Sequence, residues 1–185
     1  MNPFWEVADF VRGLRREMRF GELSRAPLRL LHLELSGESL ACDWIARPAD
    51  VWDQELAPHV RERNVSEQAL RDAIRMRDLV FEALPQVESA VLRAFRSSAA
   101  REPPELILTG TADRKTPPIL RVSSLVMRAK LYGFQFELED WILQMLRGKE
   151  NGIFDVMNEI HFRGVPPKGK EEVDLWPQLR RREVT

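Results

Sequence analysis

The residues best placed to do chemistry lie in residues 27–47, PLRLLHLELSGESLACDWIAR, where His32 and Asp43 fall on two strand-like runs that can face each other. A carboxylate beside an imidazole is the base-and-orienter half of many hydrolytic sites. The nucleophile such a site needs is missing. Cys42 adjoins Asp43, so on a strand it points to the opposite face and does not serve this histidine. The pair reads first as a cross-strand contact on a partly exposed face, and only weakly as a site.

No other motif rises higher. His32, His59 and His161 are scattered and belong to no HxxxH or HExxH spacing. The single cysteine excludes an intramolecular disulfide and a cysteine-built zinc site, so neither metal nor cofactor is expected. GTADRKT, residues 110–116, superficially has the look of a phosphate loop. It lacks the glycine directly before Lys115, and Pro117 and Pro118 stand where a helix would begin. With no GxSxG, dinucleotide fingerprint or kinase signature, the reading leans away from an enzyme.

The element that must position His32 and Asp43 is a β-hairpin, the clearest period-2 signal in the chain. With Gly37 and Glu38 as loop residues, Leu35 faces Leu40, Leu33 faces Cys42 and Leu31 faces Trp44. A Ser36-Gly37 loop slides the pairing by two but keeps the same six residues on one apolar face. The other face is mixed, carrying Leu28, Leu30 and Ile45 with His32, Glu34, Asp43 and Arg47.

The rest of the chain supplies layers for that face. Asn2 and Pro3 start a helix predicted to reach about Arg19, whose basic outer face is read as solvation rather than a nucleic-acid patch. Residues 48–63 are predicted to form a connecting loop pinned to the core by Trp52. A long helix over residues 64–84, with Asn64 and Glu67 approximating a capping box, carries a stripe of Leu70, Ala73, Ile74, Arg77, Val80, Phe81 and Leu84 and lids the hairpin. Trp44 and Leu33 are expected beneath it.

Residues 87–96 and 105–112 suggest a second antiparallel pair, with Gly110 marking a bulge or a close backbone approach, and residues 119–122 an added edge strand. Ser123 or Ser124 caps a short helix ending at Gly133, and a further helix is predicted over residues 138–147 with Trp141 in its buried stripe.

The fold class is therefore α+β: an antiparallel sheet of four to five strands in two hairpin-like pairs, packed by helices mainly on one face, with an irregular C-terminal arm. Residues 1–148 read as one domain and residues 149–185 as an extension with a short helix over residues 153–162. Trp176, Leu179, Arg180, Arg181 and Arg182 mark the arm as an interaction segment, and exchange of the arm between two copies would make a homodimer.

Composition is ordinary: 44% hydrophobic, 31% charged, with 28 basic and 29 acidic residues for a net charge of −1. Nothing attracts polyanions globally, so nucleic acid is disfavoured, and no run approaches a membrane span. The N-terminal residues lack the apolar stretch of a signal peptide, which reads as cytoplasmic, and the excess of arginine over lysine is attributed to a GC-rich bacterial genome. The functional expectation is a non-catalytic binding or regulatory domain acting on a protein or on its own copy. The alternative is a small-molecule binder or small enzyme with a pocket between sheet and helices lined by Trp44, Trp52 and Trp141.

Overall fold

Strand β1 (Arg29–Ser36) and strand β2 (Ser39–Ile45) form the hairpin around which the structure is built, a computed structural model describing residues 3–97, 103–119 and 121–146. Gly37 takes φ 58°, the glycine-first turn that a two-residue hairpin loop favours, and Leu35 pairs with Leu40 and Leu33 with Cys42 as expected. The register then slips. A bulge between Leu30 and His32 brings Leu30, not Leu31, opposite Trp44, and Leu31 is left exposed. One extra residue in a strand turns its side chain out of the alternation.

The two expected antiparallel pairs are present, and they join with a short fifth strand in one mixed sheet whose five strands stand in chain order. Strand β3 (Ser89–Arg96) runs parallel to β2, whereas β4 (Glu105–Asp113) is antiparallel to β3, and β5 (Phe134–Gln135) antiparallel to β4. A parallel neighbour demands a crossover long enough to return the chain to the starting edge. Helix α2 (Pro58–Ala83), 26 residues, provides it. It begins six residues before the Asn64 start expected from the capping signal. Pro58 occupies its first turn, where the missing N–H would have had no partner, and no side chain caps it.

Leu40, Cys42 and Trp44 of β2, Ala90, Leu92 and Ala94 of β3, and Leu108 and Ala112 of β4 alternate into the core shared with Ala69, Leu70, Ala73, Met76 and Val80 of α2. Alanines on β3 and small side chains on α2 let helix and sheet approach, and the sulfurs of Cys42 and Met76 lie 4.0 Å apart. Trp44 is fully buried, while Leu33 packs on the core only partly. Helix α1 (Pro3–Glu17) adds Phe10 and Leu14, and Met18, just past its end, continues the i, i+4, i+8 stripe.

Three arginines tie the layers together. Arg47, expected on a half-open face, is 1% exposed: its Nε donates to Asp72 at 2.8 Å, its Nη2 to the Met18 carbonyl at 2.6 Å, and its Nη1 to Ala26 O. It satisfies the carbonyls left open just past α1, where a cation is favoured. Arg114 does the same for α2, donating to the carbonyls of Phe81, Leu84 and Val87. Arg77 lies buried, its guanidinium 4.2 Å from the Tyr132 ring centroid.

Ser124 accepts from Met127 N to cap helix α3 (Leu125–Leu131), and Gly133 ends it at φ 90°. Gly110 lies where a Cβ would stand 2.7 Å from the Phe134 ring and 3.0 Å from Gly133 O, the close approach the sequence suggested.

Two expected elements are corrected. Residues 119, 121 and 122 are not strand. Residues 138–146 hold no helix: β6 (Glu137–Glu139) and β7 (Ile142–Gln144) form a tight hairpin whose loop residues, Asp140 and Trp141, take φ 49° and 69°. Leu143 N donates to the buried Ser66 Oγ at 2.9 Å, and Leu146 N to Leu106 O at 2.8 Å, so tertiary partners hold this segment extended.

No helix among the described residues is long and apolar enough to cross a membrane. The described residues belong to the unit Met1–Lys149. The expected helix over residues 153–162, and Trp176, Leu179, Arg180, Arg181 and Arg182, lie outside them.

Candidate functional site

The sheet face turned away from α2 carries the one pair of site residues that the sequence singled out for chemistry. His32 and Asp43 face each other across β1 and β2, as expected. The parallel pairing adds what the sequence did not show: Arg93 of β3 stands opposite Asp43. Its Nε and Nη2 donate to both carboxylate oxygens, at 2.7 and 2.9 Å, a bidentate fork. Asp43 is fully buried, not partly exposed, and burial pushes its carboxyl up from the usual range, while the hydrogen bonds and charge of Arg93 and the nearby His32 pull it down.

In this geometry the partner that grips Asp43 is Arg93. His32 Nδ1 lies 3.7 Å from Asp43 Oδ2, beyond the reach of a proton-orienting hydrogen bond, and is shielded from solvent without an acceptor among the described residues. Its Nε2 is 3.8 Å from Glu34. Cys42 points into the core, and burial first, then the neighbouring Asp43 charge, drives its thiol far up, so it is not a nucleophile at neutral pH. Among the described residues no group of three His, Cys, Asp or Glu side chains is placed to hold a metal ion.

The three tryptophans named as pocket lining are not brought together. Trp44 is in the core, Trp52 is 79% exposed, and Trp141 is 61% exposed at the tip of the β6–β7 hairpin. The loop carrying Trp52 is pinned by other groups. Asp50 Oδ1 accepts from Trp52 N at 3.1 Å and Asp50 Oδ2 from Arg25 N at 2.8 Å. These bonds, Arg25 N first, hold its carboxyl below the ordinary range. They cap a 3₁₀ turn, Val51–Glu55, to which Asn64 adds a bond to Asp53 at 3.3 Å. The backbone is thus fixed while the indole stands in solvent.

Trp141 does line a cleft, of about 350 Å³, between α2, α3 and the β6–β7 hairpin. Arg63, Glu67 and Arg71 reach it from α2 at i, i+4, i+8 spacing, a stripe legible in the sequence once the helix is known to start at Pro58. A larger open groove, about 860 Å³, runs between the end of α1 and residues 27–30 and bears Arg15, Arg16, Arg19 and Arg29. Glu17 in the same groove pairs with Arg16 at 3.3 Å and with Arg75 at 3.5 Å, which dilutes its positive charge.

Comparison of the chain with protein-family models, with curated proteins and with solved structures finds no match, so the reading of function rests on its own geometry.

Proposed function

We propose that this chain is a non-catalytic binding domain that engages a protein, its own copy being one such partner, through the turn that carries Val51 and Trp52. The observation that supports this reading is a pair of large apolar side chains, 73% and 79% exposed, on a turn whose backbone is hydrogen-bonded to Asp50. Tryptophan is enriched among the residues that dominate binding energy, and a turn ordered before binding loses little entropy on docking. Leu56, at the end of the same turn, extends the apolar surface, while Asp53 and Glu55 border it with negative charge. The partner that fits is a protein offering an apolar socket with a basic rim.

Sedimentation of the full chain over a range of concentrations, together with a photo-crosslinking residue placed at the exposed position 54 of the same turn in cells, tests the proposal. Self-association abolished by Trp52→Ala identifies a second copy. A single crosslinked protein, lost when Val51 is replaced by Asp, identifies a different partner. Trp52→Ala is expected to weaken either complex by about 30-fold, the equivalent of about 2 kcal/mol. Absence of both self-association and a specific crosslink would overturn the reading.

A further inference from the structure

We propose that the cleft between α2, α3 and the β6–β7 hairpin binds a small organic anion, a carboxylate or phosphate group carried on an apolar body. At about 350 Å³ it has the size of a small-ligand pocket. Its walls divide by chemistry. Buried Leu70 and half-buried Leu138 contribute apolar surface, whereas Arg63, Arg71 and Arg128 bring three guanidinium groups to the same space.

Those three cations are not equally neutralised. Arg71 is held by Glu67 at 2.7 Å and by Glu22, so its charge is met within the protein. Arg63 and Arg128 make no salt bridge among the described residues. Arg63 instead lies 5.5 Å from the centroid of the Trp141 ring, which places a cation and an indole on the same rim. The Nε atoms of Arg71 and Arg128 are shielded from solvent and have no acceptor among the described residues. An anion in the cleft would be met by the charge these arginines bring to its lining, not by the shielded Nε atoms themselves. The guanidinium fork matches the paired oxygens of carboxylate and phosphate alike, and the apolar wall with Trp141 selects an anion that carries an organic body over the bare ion. This site is separate from the Trp52 turn, so either reading stands without the other.

Titration calorimetry on the full chain with benzoate, phenyl phosphate, inorganic phosphate and benzyl alcohol tests the site and tells a carboxylate preference from a phosphate one. Saturable binding of benzoate or phenyl phosphate is expected, with inorganic phosphate weaker and benzyl alcohol silent. Arg63→Ala and Arg128→Ala should each weaken the bound anion by about ten- to a hundredfold, and Arg128→Lys by less, because it keeps the charge and loses the fork. Glu67→Gln should tighten binding by freeing Arg71, an effect that damage to the fold does not mimic. Far-ultraviolet circular dichroism checks that each variant is folded, and Trp52→Ala should leave the affinity unchanged. Absence of saturable heat from both aromatic anions overturns the proposal, as does equal binding of benzyl alcohol. An affinity unmoved in folded Arg63→Ala and Arg128→Ala would also overturn it.

Discussion

Replacing Arg93 by methionine removes the guanidinium that holds both oxygens of Asp43 and leaves a carboxylate that is fully buried between two strands. Breaking a buried ion pair costs about 3–5 kcal/mol, chiefly because the remaining charge is stranded. The lower end applies here, since the Arg93 side chain is 18% exposed. A loss of about 3 kcal/mol with a urea slope near 2 kcal/mol/M lowers the urea midpoint at pH 7 by about 1.5 M. The pH dependence carries the sharper test. Burial already raises the Asp43 carboxyl in the folded state, and removing Arg93 raises it further. A folded-state value above the unfolded one, about 3.9 for aspartate, makes its contribution to stability complete below the unfolded value and lost as pH rises through the folded one. The deficit of the variant is therefore largest at pH 7 and narrows as pH falls toward 4. Urea denaturation of both proteins at several pH values measures this, and Asp43→Asn combined with Arg93→Met should recover part of the loss at pH 7. A deficit below about 1 kcal/mol at pH 7, or one that does not change with pH, would refute the argument that Asp43 is a stranded charge held by Arg93.

Gly110→Ala should destabilise the protein by about 1–3 kcal/mol in thermal or urea unfolding, because the added methyl meets the Phe134 ring and the Gly133 carbonyl across the β4–β5 pair. Cys42 should resist a thiol reagent such as dithionitrobenzoate in the native protein at pH 8 and react fully in guanidinium, and rapid native labelling would contradict its burial. Leu92→Ala, at a fully buried position of β3, should cost about 2–5 kcal/mol, whereas Leu33→Ala, only partly buried on β1, should cost less. The reverse order in urea midpoints would displace the core from β2 and β3.

Where a residue's role depends on its neighbours in the chain, it could be read directly. Gly37 permits the turn between β1 and β2, and the alternation on either side of it brings His32 opposite Asp43. Ser124 and Gly133 bound α3 for equally local reasons, an orphan amide to accept and a positive φ to tolerate. The β6–β7 hairpin also had a local signal: Phe134, Phe136 and Leu138 alternate with Gln135, Glu137 and Glu139. The acidic residues before Trp141 looked equally like a helix start, and only bonds from Leu143 to Ser66 and from Leu146 to Leu106 resolve the two.

What sequence could not decide is which distant groups meet. The parallel register of β2 and β3 puts Arg93 on Asp43, fifty residues away, and nothing near either residue specifies that register. Arg47 and Arg114 look like surface charges because arginine usually is one, and Arg77 stands in an otherwise apolar stripe with no partner visible nearby in the sequence. Each is drawn into the structure by acceptors on other elements: Asp72 and the Met18 carbonyl, the Thr116 carbonyl, and the end of α2. Trp52 is the reverse case, an indole expected in the core that stands in solvent while Asp50 and Asp53 supply the bonds of its loop. Local conformational preference is written in adjacent residues, whereas burial of a charge or exposure of an indole depends on partners that only the folded chain brings within reach.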